Sequence, residues 1–152
     1  MQRALSCQFL LFFVTVSFAF GQHKHAGDNA AKKPPLSFES VRSEFLSDPA
    51  LKDYKLESSV LTIAPGAQDT VSHRHDCDLF GYVIDGEVQI GLDHQSPVVY
   101  RTGEMFYEKR NVLHSLAANN LKDRPTRILL LFIIKNGRQG YTAEYPEKAT
   151  GH

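Results

Sequence analysis

The chain has 152 residues, 42% of them hydrophobic, with 17 Lys and Arg against 17 Asp and Glu. This length bounds the fold to one domain with a single core. The balanced charge leaves no basic surface of the kind that marks nucleic-acid binding, so no nucleic-acid partner is expected.

Residues 1–21 carry Arg3, then an apolar run from Phe9 to Phe20, then Gly21 with Ala19 two positions before it. A basic start, a short apolar run and small residues at cleavage spacing form a secretory signal peptide pattern, which predicts cleavage after Gly21. The run is too short to anchor stably in a bilayer of roughly 30 Å, so a secreted or periplasmic protein with no stable membrane anchor is expected. Cleavage removes Cys7 and leaves Cys77 as the one thiol, so no internal disulfide is expected even where disulfides persist.

Residues 22–36 are short on apolar side chains and contain His23, His25 and Pro34-Pro35. Such a segment cannot bury enough surface to order itself, and it reads as a flexible leader. His23 and His25 would bind metals there only weakly and without fixed geometry, and Lys32-Lys33 reads as solvated tail. Ser37 is a cap residue, and Phe38, Val41 and Phe45 fit helical spacing, which predicts one short helix over 37–46.

After Asp48-Pro49 the texture changes to short apolar or alternating runs separated by turn residues about every ten positions, the pattern of an all-β barrel or sandwich. Strands are predicted over 55–63, 79–84, 87–92, 97–100, 105–107, 115–118 and 126–134. Asp85-Gly86 is a hairpin turn dipeptide, and the continuous apolar run Ile128 to Ile134 predicts a strand covered on both faces. The domain is expected to span 37–136, with 137–152 a loosely attached tail.

The stretch from Ser72 to Val88, SHRHDCDLFGYVIDGEV, places two histidines one residue apart before a strand. Residues i and i+2 of a strand share a face, so His73 and His75 can both project into the barrel interior. Two other readings stand beside this one: the histidines line a barrel without metal, or they bind only a small ligand. Cys77 reads as a small apolar filler, because Asp76 and Asp78 beside it suppress the thiolate. His94 falls in a polar loop and is expected to be exposed. Glu104 and Glu108 read as surface charge or an internal salt bridge rather than a catalytic pair. Tyr82 reads as core packing.

Gly66, His73-x-His75, Leu79 and Gly86 together resemble the first signature motif of the cupin superfamily. Gly103, Lys109-Arg110-Asn111, His114 and Asn119 resemble the second. The resemblance covers about 55–134 and implies an all-β fold, the cupin double-stranded β-helix or jelly-roll barrel, here with the short N-terminal helix in front. It also implies that His114 joins His73 and His75 as a metal ligand.

The sequence departs from the family at several points. The fourth family ligand is a Glu, and that position holds Leu79; Asp78 could substitute only through a bulge, and Cys77 only as a sulfur ligand. Lys109 and Asn111 replace Pro and Gly, although Asn tolerates the left-handed backbone that Gly supplies. A three-imidazole set suits a divalent ion, with Fe, Mn, Ni, Cu and Zn all open, and without a carboxylate it favours a small anionic ligand or substrate. Three-histidine iron cupins that oxidise such compounds are known, so an oxygenase, or an isomerase or lyase, is the implied enzyme class. A non-catalytic secreted or periplasmic cupin serving as sensor or store is the alternative. Pairing through the sheets into a homodimer is compatible with either.

Overall fold

Alternating and continuous apolar runs need a partner sheet to cover them, and the chain supplies two. The computed structural model describes residues 34–144. Its strands are β1 (Leu36–Phe45), β2 (Tyr54–Ile63), β3 (Gln68–Asp69), β4 (His73–Arg74), β5 (Asp78–Asp85), β6 (Glu87–Leu92), β7 (Val98–Arg101), β8 (Met105–Glu108), β9 (Leu113–Ala118), β10 (Thr126–Lys135) and β11 (Thr142–Ala143). One sheet has the order β1-β2-β10-β5-β8, the other β11-β4-β9-β6-β7, with β3 also paired to β9.

The facing sides of these antiparallel sheets bury Leu61, Ile63, Leu79, Val83, Ile90 and Ile128, among others, in one core cluster. This is the all-β barrel expected from the strand pattern, in the jelly-roll form that the cupin resemblance implies. Gly86 turns the β5–β6 hairpin at φ 84°, a conformation that suits the Asp-Gly dipeptide.

The predicted helix over 37–46 is instead β1, paired with β2 from Leu36↔Ile63 to Phe45↔Lys55. The register shifts between Ser40 and Arg42, leaving Val41 as an extra residue. Directly opposed residues of an antiparallel pair share a face, so this bulge returns Phe38 and Phe45 to one side of the sheet. An unbroken strand would separate residues seven apart, so a single bulge reproduces the helical spacing. These side chains are also exposed, Phe38 at 65% and Phe45 at 58%, so no helical face is buried.

The segment read as a loose tail returns to the barrel in its described part. β11 pairs with β4, and Glu144 N–H donates to Ser72 O at 2.7 Å. The leader ends at Leu36, which already belongs to β1. The expected signal peptide with its cleavage after Gly21, the rest of the expected leader with His23 and His25, and the last residues of the tail lie outside the described residues.

Gly81 on β5 faces Phe106 on β8 in register. A Cβ at Gly81 would lie 2.0 Å from Phe106 Cζ, and Phe106 is only 3% exposed and packs on Tyr100 at 5.3 Å. Gly81→Ala is therefore expected to force a packed ring to move, at a cost of about 1–3 kcal/mol. A lowered urea midpoint with unchanged slope is the expected reading, and a wild-type midpoint would contradict it.

Candidate metal centre

Each of the three histidines is delivered by a strand from the same sheet. His73 opens β4 and His114 lies on β9, and the two are direct register partners. His75 sits just past the end of β4, where its carbonyl accepts the Asn111 N–H at 2.8 Å. That bond keeps the backbone extended beyond the paired strand, so the alternation predicted for His73 and His75 survives. Asn111 adopts φ 62°, the left-handed turn conformation that its position between β8 and β9 demands.

All three imidazoles are buried, and one ring nitrogen from each lies within 4.8 Å of the others. His73 stacks on His114 at 4.6 Å between ring centres, and His75 meets His73 edge-on at 4.9 Å.

The outer face of each ring is anchored. With Nδ1 protonated, His73 donates to Val71 O at 2.8 Å, His75 to Gly140 O at 2.5 Å, and His114 to the Glu108 carboxylate at 3.1 Å. A neutral imidazole that donates from Nδ1 keeps its Nε2 lone pair for an electrophile. His114 Nε2 is buried and has no hydrogen-bond partner among the described residues. A buried polar atom without a partner costs free energy, and a metal ion is a partner that fits an imidazole lone pair. The donor set thus suits a divalent transition metal.

Burial lowers the His73 pKa below its ordinary value, assisted by the neighbouring His114 and His75 and opposed by the Val71 bond. This favours the neutral ring that metals bind. For His114 burial also acts downward, but the hydrogen bond and negative charge of Glu108 outweigh it, and the pKa is raised.

Glu108, read from the sequence as surface charge or an internal salt bridge, belongs to the candidate site. It ends β8, is 1% exposed, and places Oε1 3.0 Å from His114 Nδ1 and Oε2 3.7 Å from His75 Nε2. It is an internal ion-pairing group, as one of the two readings held, but its partners are the candidate ligands. Glu104 lies before β8, exposed, and accepts the Arg101 N–H at 2.7 Å. The spacing Glu108 to His114 gave no helical or strand signal, because a turn separates the two strands.

Neither residue considered as a replacement for the missing family Glu takes that place. Asp78 points outward and accepts from Tyr107 Oη at 2.7 Å and Arg110 N–H at 3.3 Å. Cys77 is buried but does not line the cavity. Leu79 is buried on the cavity wall. Phe80, its neighbour, turns outward and stacks on Tyr107 at 4.9 Å. Tyr82 is also a correction: strand parity puts it outside, 39% exposed, while Gly81 and Val83 on either side of it face in. His94 is exposed, as read. Asn119 is buried and clamps its loop by donating to Ile63 O, Ala64 O and Arg124 O.

Burial first, then Asp78 and Asp76, push the Cys77 thiol up to about 11. The native thiol should therefore stay unmodified by iodoacetamide at pH 8, with Cys77 alkylated only after unfolding, as read by peptide mass spectrometry. Because the folded thiol titrates above its unfolded value, this contribution to stability is complete below about pH 9 and lost as pH rises towards 11. Rapid native alkylation at pH 8 would contradict the assignment.

The histidines open into a cavity of about 570 Å³ walled by apolar residues such as Leu61, Leu79, Ile90, Phe106, Ile128 and Leu130. Among the described residues its acidic lining groups are Glu57, Asp69 and Glu108, and no Lys or Arg lines it. Tyr141, from the segment after β10, closes over His73 at 4.5 Å between rings.

Solved structures share this architecture. A protein with a double-stranded β-helix domain from Klebsiella pneumoniae is 17% identical, with a TM-score of 0.56 over 76% of this chain and 89% of that one. The DMSP lyase DddQ from Ruegeria pomeroyi is 17% identical, with a TM-score of 0.58 over 75% of this chain and 54% of that one. KdgF from a Halomonas species is 20% identical, with a TM-score of 0.52 over 66% of this chain and 82% of that one. At these identities the likeness is one of fold. No curated protein matches the chain. Residues 59–132 match the cupin domain family, a span that holds all three histidines, so this part of the chain is a cupin domain.

Proposed function

We propose that His73, His75 and His114 hold one divalent transition-metal ion for a small molecule bound in the apolar cavity. The finer reading is an oxygenase-type reaction on a small anionic compound. One observation carries the site: three buried imidazoles converge with their outer nitrogens anchored, and His114 Nε2 has no partner among the described residues. A bound ion of this class supplies Lewis-acid or redox chemistry. The histidines would hold it, Glu108 keeps the His114 ring oriented, and the apolar wall keeps bulk water from the reacting molecule. With no Lys or Arg on the wall among the described residues, an anionic ligand would depend on the ion for its countercharge. Iron, manganese, nickel, copper and zinc are all compatible with the donors. Export with cleavage after Gly21 belongs to the same proposal and rests on residues 1–21.

The test is elemental analysis of protein purified without chelator or nickel affinity. About one ion per chain is expected from a three-imidazole site. A folded protein that carries none, and takes up none from solutions of these metals, would overturn the proposal.

A second reading, a cupin that captures a metal or small ligand without turnover, is favoured by Leu79, buried where the family carries a Glu. Oxygen consumption by the iron-loaded protein over a panel of thiols and diketones separates the two. Consumption with any of them supports turnover.

A further inference from the structure

β1 ends one sheet: β2 pairs with one of its edges, and among the described residues no strand pairs with the other. The strand is ten residues long, and every residue after Leu36 is exposed, Phe38 and Phe45 included. An open edge of this length is a template for another strand. We propose that β1 pairs antiparallel with β1 of a second copy of this chain about a two-fold axis, in the register that sets Leu36 opposite the partner's Phe45, and that each copy closes the cavity mouth of the other. The inference goes beyond the metal reading and stands whether or not the histidines hold an ion.

The pairing with β2 fixes the face each residue takes. Phe38 lies opposite Leu61, Ser43 opposite Glu57 and Phe45 opposite Lys55. Leu61 and Glu57 line the cavity, as does Leu36, so Leu36, Phe38, Ser43 and Phe45 share the cavity face. Glu39 and Arg42, opposite Val60 and Ser58, take the other face. In the proposed register Leu36 meets the partner's Phe45, Phe38 the partner's Ser43, Glu39 the partner's Arg42 and Ser37 the partner's Glu44, so the full length of the strand is paired. Each of these pairs joins residues of one face, as an antiparallel ladder requires. In an unbroken strand Leu36 and Phe45 would lie on opposite faces. The bulge at Val41 is what permits this register.

That bulge also selects the occupant. A bulge ordinarily protects an edge, because a regular strand falls out of register beyond it. A second copy brings the same extra residue to the same point, with Ser40 meeting the partner's Val41. Charge agrees with geometry. Glu39 faces the partner's Arg42, and the two-fold axis repeats the pair, beside the Arg42–Glu44 ion pair at 2.7 Å within each strand. Sliding the strands by two residues would instead set Glu39 against the partner's Glu44 or the partner's Ser40.

The cavity gains from the same contact. Phe38 lines it yet is 65% exposed, so this ring stands at the mouth. The partner's Phe45 arrives opposite Leu36 and diagonal to Phe38, within reach of an aromatic side chain. Two exposed rings then cover each other on each side of the axis, and the mouth of each cavity is finished by the other copy.

The test is sedimentation velocity of the purified full chain over a dilution series, with a dimer expected. Arg42→Glu sets like charges opposite each other at two places and should weaken the dimer at least about tenfold. Glu39→Arg/Arg42→Glu exchanges the charges and should restore most of that loss. Ser37→Cys/Glu44→Cys should form intermolecular disulfides on mild oxidation, because the two sites within one strand lie about 23 Å apart. Phe38→Trp, in a chain without tryptophan, should emit further to the blue in the dimer and shift to the red on dilution. A wild-type chain that is monomeric at its highest soluble concentration overturns the proposal. So does a dimer that forms no cross-link and is as tight with Arg42→Glu, the result expected if copies meet through another face. A monomer whose β1 amides exchange slowly with deuterium also overturns it, the result expected if the residues before Pro34 cover the edge. Tryptophan emission that ignores dilution, while the dimer dissociates, overturns the closing of the mouth.

Discussion

His75→Ala is expected to abolish metal binding while leaving the barrel folded. The ring is 7% exposed and offers its Nε2 alongside His73 and His114, so its loss leaves two imidazoles and an incomplete set. The structural cost is small by comparison. His75 is absent from the apolar core cluster; it loses one hydrogen bond to Gly140 O and an edge contact to Phe132 at 5.7 Å. Such a deletion costs about 1–3 kcal/mol, less than the roughly 5–15 kcal/mol that holds a domain together. Elemental analysis with a far-UV circular dichroism melt reads both halves. His94→Ala, in an exposed loop, serves as the control that should keep its metal. Unchanged metal content in the His75 variant would defeat the site.

The parts legible in the sequence are those written in local periodicity. β2, β5, β6 and β10 each announce themselves by alternation or by a continuous apolar run, and their bounds fall within a residue or two of expectation. His73 and His75 are legible because their spacing of two is the strand period itself. What failed depends on register. Phe38 and Phe45 mimic a helix because a one-residue bulge at Val41 alters strand parity, and nothing local marks that bulge. Glu108 read as surface charge or an internal salt bridge because its partners, His114 and His75, lie on the other sheet, a relation that exists only once the two sheets face each other. Tyr82 turned outward because Gly81 takes the inner position, leaving room for the ring of Phe106. In each case the missing information is a cross-strand neighbour distant in sequence.

The segment after β10 was illegible for a different reason, and it carries the second large effect expected here. Its hold on the site runs through main-chain atoms: Gly140 O accepts from His75 Nδ1, and β11 pairs Ala143 with His73 and Thr142 with Arg74. Backbone carbonyls have no residue signature. Side chains add Tyr141 over His73 and the Arg74–Glu144 ion pair. A chain ending at Asn136 should therefore fold, since the core cluster lies within the earlier strands, yet bind metal about 10–100-fold more weakly, as loss of a partner that orients a ligand does. A chain ending at Glu144 is the control and should match the full-length protein. Glu144→Ala alone should do little, because an exposed ion pair contributes about 0–1 kcal/mol. Zinc affinity by chelator competition distinguishes these cases. Equal affinity for the two truncated chains would mean that His75 holds its orientation without Gly140, and that the strap closes the cavity without tuning the ligands beneath it.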